Sequence, residues 1–169
     1  MPLYLNKGFK EKNQSIFIAP NSFIVGNVAL EKGTSVWFGT NIRSDDKKTV
    51  IREGTAILEN SYIEDSIIGK NCVISHGAIV HNATIGDNVF IGLGARILNN
   101  AKIGDNCFIG TGTLILPGRI VEPETVVVGQ PGKVLRKVTS QDLNITKEAV
   151  KKICKNAKKY AKLLNIEDD

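Results

Sequence analysis

The chain has 169 residues, 42% of them hydrophobic and 23% charged, with a formal net charge of +5. That length and balance fit one globular domain with at most a small appendage, and no stretch approaches the ~18 apolar residues of a membrane helix. Three cysteines without a C-x-x-C pair argue against a disulfide framework and a thiolate zinc site, so a reducing cytoplasm is the expected home.

The opening MPLYLNKGFKEKNQ lacks the long apolar core of a signal peptide. An apolar repeat begins at Ile18. Steps of six lead to Ile24, Leu30, Val36 and Ile42. After the polar insertion SDDKK the series resumes at Ile51, Ile57 and Ile63, steps by five to Ile68, then by six to Ile74 and Val80. A second step of five reaches Ile85, and sixes continue through Ile91, Ile97, Ile103, Ile109, Ile115 and Val121. All eighteen positions are Ile, Leu or Val. Four residues after them stand small side chains, Ser22, Thr34, Thr40, Thr55, Ser61, Ala78, Thr84, Ala95, Ala101 and Thr113, with Cys72 and Cys107 in the same slot. In an extended chain i and i+4 point the same way, so both sets are expected to face inward. Gly69, Gly86, Gly92, Gly104 and Gly110 follow their aliphatic residues directly, at turns. A helix has no six-residue apolar period. Short strands joined by sharp turns and wound into a prism do, which predicts a mainly β parallel solenoid, three hexads per coil and six coils, over residues 1–138.

Pro117, Pro123 and Pro131 are expected to break the repeat. Residues 139–169 then form a helix and tail. Val150, Ile153, Ala157, Tyr160, Ala161 and Leu164 recur at threes and fours, predicting an amphipathic helix from about Lys147 to Leu164 with Thr146 as N-cap. Its apolar stripe is expected to pack along the solenoid, with Cys154 buried beside it and its lysines in water. Residues 147–162 hold seven lysines and one glutamate, a net of +6. Glu167, Asp168 and Asp169 bring −3, so +2 remains on residues 1–146. This basicity is local, and neither nucleic acid nor membrane is an expected partner.

The only histidines, His76 and His81, lie in VISHGAIVHNATIGDN. With three hexads per coil, equivalent residues of successive coils stack about 4.8 Å apart. His81, Glu64 and Arg43 each follow the aliphatic residue of their hexad, so they form one outward column. His76 stacks on Glu59 in a different column, around a corner of the prism. Glu64 and His81 can converge on one point, and His76 can join the pair of a neighbouring subunit. One carboxylate and two imidazoles suit a divalent metal. Without metal, Glu64 pairs with Arg43 and Glu59 with His76, which satisfies all four.

The I-G-D-N turns at 85–88 and 103–106 resemble the repeat signature of the hexapeptide-repeat proteins, which implies a left-handed β-helix. VWFGTNIRSDD, GTAILENSYIE and ISHGAIVHNATIGDNVFIGLGA together resemble the γ-class carbonic anhydrases over about residues 15–140. The resemblance implies a homotrimer with zinc held between subunits, or iron, cobalt or another divalent metal in its place. It makes His81 a ligand from one chain and His76 the neighbour's ligand, and puts Glu64 where the family has a histidine. Arg43 and Asp45 match a supporting Arg-x-Asp pair. Glu59 matches an aspartate of the site, and Leu58 stands where the family has a glutamine. Arg43, Asp45 and Glu59 are thus the expected catalytic residues, and Glu64, His76 and His81 the expected metal ligands. A carboxylate ligand lessens the metal's charge and leucine removes a hydrogen-bonding group, so hydration of CO2 to bicarbonate is expected to be weak or lost. Two other functions fit the same pattern. One is a hexapeptide-repeat acyltransferase with a histidine as general base, although the insertion after Arg43 is short. The other is a non-catalytic trimeric scaffold.

Overall fold

A computed structural model describes residues 15–164 and the backbone of the short strand Leu3–Tyr4; the acidic residues Glu167–Asp169 lie outside the described residues. The chain winds into a parallel β-solenoid whose short strands stack in three faces. On the first face Ile18, Val36, Ile57, Ile74, Ile91, Ile109 and Val127 stand in register. The second aligns Ile24, Ile42, Ile63, Val80, Ile97 and Ile115. The third aligns Leu30, Ile51, Ile68, Ile85, Ile103 and Val121. All eighteen expected positions are buried, and Val127 is a nineteenth. β-Branched residues suit this pleated wall, and each buried aliphatic contributes about 1.5–3 kcal/mol. Pro117 and Pro123 lie outside the strands, so they do not end the repeat. The ladder ends where Thr125–Val128 pairs antiparallel with Lys133–Lys137.

Three chemical devices close the corners. Buried hydroxyls bridge successive coils: Thr55 donates to the Gly69 carbonyl at 2.6 Å and accepts the Cys72 amide at 2.9 Å. Asparagines 71, 88 and 106 take positive φ at turns, a conformation that residue tolerates well. At Gly69 a Cβ would lie 2.3 Å from the Gly86 carbonyl oxygen of the next coil, so only glycine fits.

Thr84 corrects one expectation, because it is exposed rather than inward. Where the step shortens to five, one residue is missing from the corner. The inward slot then falls three residues on, at the buried Ser66 and Ala83. Asp65 and Asn82, just before them, turn the chain at φ of 47° and 46°.

The C-terminal helix, α1, spans Ser140–Leu163 with Thr139 as its N-cap, so it starts seven residues before the expected Lys147. Thr146 is a buried residue within it and not its cap. The cause is a capping box: the Thr139 hydroxyl accepts the Asp142 amide, and Asp142 accepts the Thr139 amide at 2.8 Å. Arg136 also grips Asp142 through two bonds of 2.6 and 3.1 Å. These bonds, that from Arg136 foremost, hold the Asp142 carboxyl well below the usual carboxylate range.

α1 lies along the first face. Ala157, Val150, Ile153 and Ala161 join Phe17, Trp37, Leu58 and Val73 in a second apolar cluster. Tyr160 meets Trp37 edge-on at 5.4 Å. Leu164, expected in the stripe, is exposed at the C-cap. Cys72 and Cys107 are buried, whereas Cys154 is only partly so. The seven lysines of α1 are exposed, and no described helix is long and apolar enough to cross a membrane.

Candidate functional site

Strand register on the second face places Arg43 beside Glu64 and Glu64 beside His81. Each side chain points outward at the edge of that face, next to the shortened corner. Arg43 Nη2 donates to Glu64 Oε1 at 3.0 Å and also meets Asp45 at 3.2 Å. The strand backbone around Asp45 is anchored by Asp65, whose carboxylate accepts the amides of Asp45, Asp46 and Lys47 at 2.8–3.3 Å.

Glu64 is the hub, with a side chain only 10% exposed. Its Oε2 accepts the Tyr62 hydroxyl at 2.5 Å and lies 3.2 Å from His81 Nε2. Burial opposes ionisation of this carboxyl, but hydrogen bonds from Tyr62 and Arg43 and the nearby His81 outweigh it, and its pKa falls below the ordinary value. Burial, then the bond to Glu64, pushes Tyr62 up to about 12. The Arg43 guanidinium lies 5.7 Å from the centre of the Tyr62 ring. On its far side, His81 Nδ1 meets Asn99 Oδ1 at 2.8 Å.

The second pair stands apart. His76 Nε2 approaches Glu59 Oε2 to 3.0 Å, but the contact lacks hydrogen-bond alignment, and that buried oxygen has no hydrogen-bond partner. His76 occupies the corner between the first and second faces, while Glu64 and His81 occupy the corner between the second and third. One chain therefore does not bring the three expected ligands together. Among the described residues no three His, Cys, Asp or Glu side chains are grouped to hold a metal. Leu58 joins neither pair; it packs in the cluster beneath α1.

The Glu64–His81 pair has donor types that a divalent cation takes. With Asn99 Oδ1 as acceptor, His81 Nδ1 carries a hydrogen; a neutral imidazole then presents its Nε2 lone pair to Glu64 Oε2, and an imidazolium donates to that oxygen. In the neutral state two acceptors face each other at 3.2 Å, and a proton or a metal between them relieves that contact. Two ligands each about 2.1 Å from one zinc ion stand roughly 3.0–3.4 Å apart, which is the spacing found. Glu59 Oε2 faces His76 with the same lack of a partner. A hollow of about 160 Å³ opens beside the Asp65 corner, lined by Lys47, Lys48, Asn82 and Lys102 among others.

Tyr62, Asn99 and Asp65 were not singled out from the sequence. Strand alternation carries the signal for Tyr62, because residues flanking Ile63 on either side share a face. Asn99 reaches back one coil from a turn, and no spacing marks it.

Residues 82–117 match the family model described as bacterial transferase hexapeptide (six repeats). A probable carbonic anhydrase of Methanocaldococcus jannaschii is 40% identical over 156 residues, covering 89% of this chain and 94% of that protein. The mitochondrial gamma carbonic anhydrase 2 of Arabidopsis thaliana is 27% identical over 91% of this chain, which spans only 57% of that relative's length. Among solved structures, a hexapeptide transferase family protein from Anaplasma phagocytophilum is 29% identical with a TM-score of 0.83, covering 94% of this chain and 92% of that one.

Proposed function

The chain belongs to the γ-carbonic anhydrase family of hexapeptide-repeat proteins, and from that premise we propose that it is a metalloprotein of the carbonic anhydrase type, acting on CO2 and bicarbonate at a site shared between the subunits of a homotrimer. The observation that carries this reading is the 3.2 Å approach of His81 Nε2 to Glu64 Oε2, an imidazole nitrogen and a carboxylate oxygen at the separation of two ligands of one ion. Glu64 and His81 of one protomer, with His76 of a neighbour, would hold the metal. A bound divalent ion supplies the Lewis acidity that ionises water near neutral pH; zinc is the first candidate, with iron and cobalt as alternatives.

The remaining residues serve that centre. Asn99 Oδ1, 2.8 Å from His81 Nδ1, would hold His81 in the tautomer that leaves Nε2 free to ligate. Arg43 holds Glu64 Oε1 and keeps a half-exposed guanidinium beside the site, where it can attract bicarbonate. Asp45 anchors the other side of that guanidinium. Glu59, with a buried and unpartnered oxygen beside His76, can orient that imidazole or accept a proton. The lysines around the neighbouring hollow favour an anionic product.

The test combines metal analysis of the purified, untagged protein with CO2 hydration before and after chelation. Stoichiometric metal and a chelator-sensitive rate are expected. A metal-free protein that gains neither metal nor activity when zinc is added sinks the reading. Likeness to a hexapeptide transferase family protein favours acyl transfer as second reading, with His76 or His81 as general base. Turnover of acetyl-CoA with no metal requirement would move the assignment there.

A further inference from the structure

The proposed ligand set contains a weakness that the structure answers with a residue outside that set. A glutamate side chain has more rotatable bonds than a histidine and two equivalent oxygens. It can swing, and it can chelate a metal through both oxygens at once. Here both oxygens are committed. Oε1 accepts Arg43 Nη2 at 3.0 Å. Oε2 accepts the Tyr62 hydroxyl at 2.5 Å and keeps its other side toward His81 Nε2. Tyr62 and Glu64 are two apart on one strand and so point to the same side. The Tyr62 ring also carries the Arg43 guanidinium over its face, so one aromatic residue orders the carboxylate and its arginine partner.

We infer that Tyr62 is the positioning residue for Glu64, holding its carboxylate as a fixed, single-oxygen ligand aimed at the point it shares with His81. The inference rests on the metal reading above. It assigns Tyr62 no contact with metal or substrate, because its hydroxyl is spent on Glu64. Carboxylate ligands depend on such outer partners, whose loss commonly weakens metal binding about 10–100-fold.

The test measures cobalt(II) affinity and visible absorption of the full-length protein, and of Tyr62→Phe, Glu64→Ala, Glu64→His and the Tyr62→Phe/Glu64→His double variant. Tyr62→Phe keeps the ring and removes one oxygen. Its affinity is expected to fall at least about tenfold. Its visible bands should weaken as the freed carboxylate binds through both oxygens and raises the coordination number. In the Glu64→His background the hydroxyl has no carboxylate to hold, so adding Tyr62→Phe should change neither affinity nor spectrum.

The outcomes separate cleanly. If the unmodified protein takes up no cobalt, or Glu64→Ala binds it equally well, the metal reading falls and this inference with it. If Glu64→Ala loses the metal while Tyr62→Phe matches the parent in affinity and spectrum, the metal site stands and the role of Tyr62 is overturned. If Tyr62→Phe weakens binding equally in both backgrounds, the hydroxyl acts on the fold and not through Glu64, which also overturns it.

Discussion

Replacing Glu64 with histidine separates a metal ligand from a mere ion-pair partner. In the parent, Glu64 accepts one bond from Arg43 and one from Tyr62. An imidazole keeps neither in the same form. Arg43 retains Asp45 at 3.2 Å and is about half exposed, so it is not stranded, and Tyr62 is only partly buried. The cost therefore sits at the low end for bonds to a charged group, about 1–2 kcal/mol. For a chain of this size that lowers the thermal midpoint by about 2–8 °C in chelator. Metal reverses the sign. At a free zinc concentration about 100 times the dissociation constant, binding adds about 2.7 kcal/mol, or about 5–11 °C. Three neutral imidazoles also leave the metal's charge less opposed than with a carboxylate, so zinc-dependent hydration should rise above the parent's. Melting curves and hydration rates, each with zinc and with chelator, check both. A variant that melts lower than the parent and responds to zinc in neither assay refutes the reasoning.

The other expectations concern the scaffold that carries the site. Asp142, held below its ordinary range by Arg136 and Thr139, contributes stability that is present above the unfolded value of about 3.9 and lost as pH falls toward the folded value. Asp142→Asn should therefore be less stable than the parent at neutral pH, with a gap that narrows below about pH 4; a gap unchanged from pH 7 to pH 3 in denaturant titrations counts against the clasp. Ile97 is fully buried in the second face, so Ile97→Ala should cost about 2–5 kcal/mol in chemical unfolding, whereas Ile120→Ala, 60% exposed on the third face, should stay within about 0.5 kcal/mol; equal losses would mean that the three-column core is misread. Burial pushes the Cys72 thiol up to about 12 and raises Cys107, so a thiol-alkylating reagent should modify only Cys154 in the native state, read by mass spectrometry; native modification of Cys72 would contradict a closed core.

A six-residue apolar period points to a solenoid, because it matches neither a helix nor a flat sheet. Eighteen aliphatic positions and the Arg43–Glu64–His81 register are therefore legible in the sequence. Stacking converts sequence offset into spatial contact, so a site built on one column can be read by counting. Counting failed where the offset changed. The i+4 count places Thr84 inward, whereas a corner shortened by one residue moves the inward slot to Ala83. The start of α1 was missed because its cap is a tertiary clasp of Arg136, Thr139 and Asp142, formed by side chains that carry no apolar period. Side-chain direction likewise lay beyond the period. Only the packed prism shows that the Tyr62 hydroxyl and Asn99 amide close on Glu64 and His81, that Leu58 is drawn under α1, and that a corner keeps His76 from the pair it resembles. A repeat dictates which residues stack; which atoms of those residues meet depends on rotamers and corners that the folded chain alone decides.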